Sequence, residues 1–289
     1  MEYPALFVAA DHASITGRRT YVRLVYAELG LLAASAGIAA LGTLPILALS
    51  QTTTYIGVAL VLVPALLARL ANGDGSHNKD WFDGRAVAET VKTSTWRFAT
   101  RATPYDTPDG EAEREFLKSL REILEARSEI RHELSGLPPD AQQITATMRA
   151  VRALPFAERK EYYLRERLIS QVEWYSRKAR SHHRSASRWF WAGLGFEGGA
   201  LALVVVLIAV PVSDAWVGLF STVAASATAW LQLGRYDELY RSYGLAAQEL
   251  ILFKSTVQLA DDDAELAEAV VETESAVSRE HTMWMAKRG

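Results

Sequence analysis

"RWFWAGLGFEGGALALVVVLIAV", residues 188–210, decides the fold class of this 289-residue chain. After Arg188 it carries one charged side chain, Glu197, and no polar face. A helix in a water-soluble domain needs such a face. A helix crossing about 30 Å of hydrocarbon instead needs about 20 predominantly apolar residues, rising about 1.5 Å each. The stretch reads as a transmembrane span.

Its opening, "RWFWAGLG", echoes "RLVYAELG" at residues 23–30, which also begins a long apolar run. Between Arg23 and Arg69 the only charged residue is Glu28, and between Arg188 and Arg235 only Glu197 and Asp214 are charged. A net charge of −3 and a mean hydropathy near zero conceal this, because the apolar residues sit in two blocks. Spans are expected at Leu24–Leu49, Gln51–Ala68, Trp189–Val210 and Ala215–Leu233, with Pro64 kinking the second. The short turns "SQTTT" and "PVSD" make each pair a helical hairpin. The first run is too long, and starts too far along the chain, for a cleaved signal peptide. The expected class is all-α: a helical membrane protein with two transmembrane hairpins, four spans in all, and a cytoplasmic helical bundle.

Basic residues set the orientation. Arg18, Arg19 and Arg23 precede the first span, and Arg69, Lys79 and Arg85 follow the second. Arg177, Lys178, Arg180, Arg184 and Arg188 precede the third, and Arg235 and Arg241 follow the fourth. The hairpin turns have no Lys or Arg. Both termini and the middle segment are therefore expected in the cytoplasm of a multi-pass inner-membrane protein, and the absence of cysteine is compatible with that. The organisation reads as a lead-in helix (1–23), a first hairpin (24–70), a cytoplasmic region (71–187), a second hairpin (188–234), and trailing helices with a tail (235–289).

Outside the spans, "TPDGEAEREFLKSLREILEARSEIRHEL" predicts an amphipathic helix from about Asp109, with Phe116, Leu117, Leu120, Ile123, Leu124 and Ile130 as its stripe. Pro138 and Pro139 in "SGLPPD" break it, "NGDGS" (72–76) reads as a turn, and "AQQITATMRAVRAL" is a shorter helix. From Phe156 one helix is expected to run into the bilayer. After span four, Tyr236, Tyr243, Leu250 and Val257, with Leu239, Ala246 and Phe253, form a heptad seam expected to continue that span directly. It serves either packing within the chain or self-association. "DDDAELAEAVVETES" is an acidic amphipathic helix and "HTMWMAKRG" a loose tail.

No phosphate loop, nucleophile elbow or metal-ligand spacing is present, so no enzymatic chemistry, cofactor or metal is expected. His182 and His183 are adjacent, about 100° apart on a helix, and do not form a chelating pair. Intramembrane polar residues are the first functional candidates: Glu28, Glu197 and Gln232 as pore-lining groups, with Ser221, Thr222, Ser226 and Thr228 giving span four a small, polar character. Glu197 lies about 13 Å past Arg188, and Gly195 and Gly199 beside it permit close helix contact. For Glu197 the alternative is a carboxyl packed between helices. A second set, Arg167, Gln171, Trp174, Tyr175 and Lys178, shares one helix face, and Lys92, Trp96 and Arg97 offer a similar trio. Cations suit phosphate and aromatic rings suit nucleobases, so these are nucleotide-binding candidates. Ordinary bundle packing is their other reading.

The stretches "AADHAS" (9–14), "YVRLVYAELGLLAAS" (21–35), "WFDGRAVAETVKTSTWRF" (81–98), "YLRERLISQVEWYSRKA" (163–179) and "RYDELYRSYGLAAQELILF" (235–253) resemble the SLATT family of bacterial two-span-hairpin effectors. The resemblance implies a pore-forming effector of anti-phage defence, controlled by a nucleotide or oligonucleotide made by a separate enzyme. This chain departs from the simplest family pattern in having two hairpins and no fused sensor domain. Four spans enclose too little polar surface for a water path, so a homo-oligomer, most simply a tetramer, is expected in the bilayer. A non-conducting membrane anchor that recruits a cytoplasmic partner is the rival reading, and a small transporter is a third.

Overall fold

A computed structural model describes residues 1–73, 76–126, 140–210 and 213–286. Among these residues the secondary structure is helical, with no strand. The helices are α1 (Ala5–Leu41), α2 (Gln51–Ala71), α3 (Ser76–Ala99), α4 (Asp109–Ala126), α5 (Ala146–Arg152), α6 (Phe156–Tyr163), α7 (Ser170–Ala209), α8 (Ala215–Gly234), α9 (Tyr236–Leu259) and α10 (Asp263–Ala286). Six residues of π-helix, Leu164–Ile169, join α6 to α7. The chain forms two compact units: a polar one of residues 1–18, 77–179 and 241–289, and an apolar one of residues 19–76 and 180–240.

In the apolar unit, stretches of α1, α2, α7 and α8 are long and apolar enough to cross a membrane. Tyr26 of α1 stacks on Trp230 of α8 with ring centroids 4.0 Å apart. Gly57 of α2 lies against Ile38 of α1, and Gly193 of α7 faces Ala224 and Ala227 of α8. A Cβ on Gly199 would come within 2.6 Å of the Phe220 ring, so only glycine lets α7 approach α8 this closely. The second glycine of Gly195-x-x-x-Gly199 is thus used inside the chain, whereas Gly195 has nothing within 4 Å.

Two expected boundaries move. The helix of span one ends at Leu41, not Leu49, and the turn comes earlier than "SQTTT". The reason is local: Thr43 bonds back to Ala40, Pro45–Leu47 form a 3-10 turn, and Ser50 Oγ accepts the Thr53 N–H as the cap of α2. Nor does span four continue directly into the heptad helix. Arg235 has a left-handed backbone (φ 44°) that ends α8, and its side chain pairs with Glu238 at 2.6 Å. Pro64 lies within α2. Pro211 and Val212 of "PVSD" lie outside the described residues.

The polar unit holds two apolar cores. In the first, Leu6, Ala10 and Ala13 of α1 meet Val87, Val91 and Phe98 of α3, Phe116 and Leu120 of α4 and Met148 of α5. Helix α4 starts at Asp109 as its pattern predicts, but Leu117 is 44 % exposed and leaves the stripe. Ile130, Pro138 and Pro139 lie outside the described residues, as do Asp74 and Gly75 of the 72–76 turn. In the second core, Leu164 and Leu168 pack with Ala246, Leu250 and Val257 of α9 and Leu266, Val270 and Val277 of α10. The heptad seam is therefore used, at these positions, within the chain. Helix α10 runs on through His281–Ala286, so most of the expected loose tail is helical; no proline or glycine interrupts it.

Helices α1 and α3 touch backbone to backbone at Gly84. A Cβ there would stand 2.8 Å from the Ala10 carbonyl oxygen and the Ser14 nitrogen. Gly84→Val is expected to cost about 1–3 kcal/mol through overpacking, read as a lower melting temperature of the detergent-purified protein. Gly110→Ala, which enters open space, should stay within about 0.5 kcal/mol.

Candidate functional site

The three intramembrane candidates have different surroundings. Glu28 is met by Arg69 of α2 at 3.4 Å, so its charge has a partner within the first hairpin. Glu197 is exposed on α7, flanked by Gly195 and Gly198, neither of which has anything within 4 Å. It lies in a row with Phe190, Leu194, Leu201, Val204 and Ile208, all exposed and spaced alternately four and three apart. Such spacing keeps side chains on one face of a helix.

Gln232 belongs to a more telling row. Asp214, at the N-cap of α8, and Gly218, Ser221, Ala225, Thr228 and Gln232 within it follow the same four–three spacing, and all are exposed. By contrast, between Tyr55 and Leu67 the exposed large side chains of α2 are apolar or aromatic: Tyr55, Ile56, Leu60, Val63, Leu66 and Leu67 among them. The sequence reading named Thr222 and Ser226 beside Ser221 and Thr228, but those two do not share the row. Thr222 Oγ1 donates to the Gly218 carbonyl at 2.7 Å, and Ser226 is half-buried. The alternating spacing of small polar residues was the signal that could have separated them.

The nucleotide-binding candidates divide between core and surface. Arg167, in the π-helical turn, is a core residue. Its Nε and Nη2 donate to the two Glu274 carboxylate oxygens at 2.7 and 2.6 Å, with side chains 2 % and 0 % exposed. Tyr163 and Thr93 also donate to Glu274, at 3.0 and 3.2 Å. Burial works against the Arg167 charge, but the carboxylate and its hydrogen bonds outweigh it and hold the guanidinium protonated above its ordinary range. Burial, followed by Glu274, pushes the Tyr163 phenol well up. Gln171 accepts from Arg167 Nη1 at 3.4 Å. Trp96 is buried and donates to the Tyr3 hydroxyl, and Arg97 is tied to Ser275 at 2.7 Å. The ammonium of half-buried Lys92 is lowered by burial, against the pull of Glu89. Tyr175 is buried against Tyr243.

Lys178 is exposed, whereas Trp174 is half-buried, packed against the second core and edge-on to Tyr243 at 5.6 Å, with Lys178 Nζ 5.7 Å from its ring centroid. The Lys178 ammonium is pushed down by burial and then by the nearby cations Arg18 and Arg85. Arg18 sits 5.7 Å over Trp81, and Arg85 is held by Glu89 at 2.6 Å and Asp11 at 4.0 Å. Three cations and two indole rings thus gather from α1, α3 and α7. Arg18, Trp81 and Arg85 were not among the expected site residues, because the contact that joins α1 to α3 is far apart in sequence. The chemistry suits an anionic group with a flat ring attached.

Removing one partner of a buried ion pair leaves the other charge uncompensated, a cost of about 3–5 kcal/mol. Glu274→Ala should destabilise the purified protein by that much in denaturant titrations followed by circular dichroism. The pair replacement Arg167→Met with Glu274→Leu should recover most of the loss.

Comparison with known families gives two matches that together cover most of the chain. Residues 4–160 match the SMODS and SLOG-associating 2TM effector domain 3, and residues 163–284 match the SMODS and SLOG-associating 2TM effector domain 1. No curated protein and no solved structure matches the chain significantly. The two matched domains each contain one apolar helical hairpin, α1–α2 and α7–α8, followed by polar helices. The chain is a tandem of two such domains and belongs to the SLATT family of membrane effectors.

Proposed function

We propose that several copies of this chain assemble around an axis in the bacterial inner membrane and form an ion-conducting pore, opened or closed by a nucleotide signal during anti-phage defence. The observation that carries this reading is the α8 row of Asp214, Ser221, Thr228 and Gln232, exposed along the length of a membrane-crossing helix. Hydrocarbon offers no hydrogen bonds, so such a row belongs against water or another protein surface. Glu197, exposed on α7 about 13 Å past Arg188, supports the same reading as a carboxylate ring favouring cations. Closed symmetry, most simply a tetramer, brings these rows together.

The polar unit would face the cytoplasm and take the signal at the Trp174–Lys178–Arg18–Trp81 surface. Coupling needs a rigid element shared by sensor and pore. Helix α7, continuous from Ser170 to Ala209, carries Trp174, Lys178 and Glu197 and would supply it. The signalling molecule would come from a separate nucleotide-synthesising enzyme.

Protein in ion-loaded liposomes should release its contents, either on adding oligonucleotides of several lengths or on removing them. Thr228→Leu with Gln232→Leu should lower the flux by about an order of magnitude by drying the path, and Glu197→Gln should shift selectivity away from cations. Vesicles that stay sealed under every condition would favour the anchor reading. Lys178→Glu and Trp174→Ala should each weaken oligonucleotide retention in a shift assay by about tenfold or more, the loss expected for a charge-assisted hydrogen bond or a stacked base.

A further inference from the structure

Between α1 and α2 runs a groove of about 450 Å³. Its walls are apolar, formed by Leu32 of α1 and by Ala59, Val63 and Leu66 among the α2 residues, and Glu28 and Arg69 also line it. From Ala59 to Arg69 it follows about 15 Å of helix, half of the roughly 30 Å hydrocarbon thickness. It is therefore one leaflet deep, with a charged end and a greasy end.

The charged end has capacity to spare. Arg69 Nη1 is 3.4 Å from Glu28 Oε1, a long contact, and the Arg69 side chain is 75 % exposed. A guanidinium has five donors and a carboxylate about four lone-pair sites, so one contact leaves most of both unused. The guanidinium fork matches a phosphate, and the carboxylate accepts from an ammonium.

We infer that this groove holds one phospholipid whose headgroup is a zwitterion with a primary amine. Its acyl chain lies between Leu32, Ala59, Val63 and Leu66, its phosphate faces Arg69, and its ammonium donates to Glu28. The two charges of the site select this headgroup. A purely anionic headgroup would meet the Glu28 charge with no cation of its own. A quaternary ammonium has no N–H to donate. The site is independent of whether the protein conducts ions.

Delipidated protein would be titrated with phosphatidylethanolamine, phosphatidylcholine and phosphatidylglycerol of identical chains, with bound lipid per protomer counted by native mass spectrometry. The ethanolamine lipid should half-fill the site at about one tenth of the concentration the others need, the ratio expected from one extra hydrogen bond to a charged group. Glu28→Gln and Arg69→Gln should each abolish that preference while a lipid still binds. Ala59→Trp, which fills the groove, should lower retention of all three lipids alike. Equal retention of the three lipids by the unaltered protein would overturn the inference, as would a preference that survives the Glu28→Gln, Arg69→Gln double variant. So would disulfide formation between two copies bearing Ala59→Cys, since the chain has no other cysteine and the groove would then be covered by protein.

Discussion

Hydrocarbon neither donates nor accepts hydrogen bonds, and every part of the apolar unit answers to that. Its backbone is satisfied inside helices, and Gly57 and Gly199 let neighbouring helices approach closely. Polar side chains must find partners too. Glu28 finds Arg69 within its own hairpin, and Thr222 bonds back to the helix that carries it. The α8 row and Glu197 face outward instead. The same constraint that makes α2 an ordinary lipid-facing helix therefore asks for something wet or proteinaceous beside α8 and α7.

The polar unit follows the opposite logic, with a charge pair sunk among apolar side chains. Glu274 of α10 receives Arg167, Tyr163 and Thr93, so helices from both family domains converge on one carboxylate. Such a pair contributes little net stability over an apolar core, but it tolerates no wrong partner. The π-helical turn at Leu164–Ile169 carries Arg167. A turn of this kind costs helix regularity, and here it holds the residue that Glu274 binds.

Much of the architecture was legible because lipid-crossing helices advertise themselves by length and composition. The four apolar helices follow from length and composition, and the start of α4 at Asp109 and the existence of the α9 seam from periodicity. The packing of that seam within the chain is seen only in the structure. What escaped depends on single residues or distant contacts. Ser50 chooses cap over turn by one hydrogen bond, and Arg235 ends α8 by adopting a backbone usually left to glycine. Arg167 shares a helical face with Lys178, yet one is buried and the other exposed, because only the packing of α10 decides which end of that face is covered. The aromatic–cationic surface needed α1, α3 and α7 together. No local pattern could announce it.

Neither unit is a continuous piece of chain: one is assembled from three segments and the other from two. On the ribosome, Arg167 emerges long before Glu274, and both apolar hairpins are made before α10 exists. Until the last helix arrives, Arg167 has no carboxylate to neutralise it in the core. The second core can therefore be completed only after both hairpins have been made. Synthesis order thus places both hairpins ahead of the residue that completes the Arg167 pair.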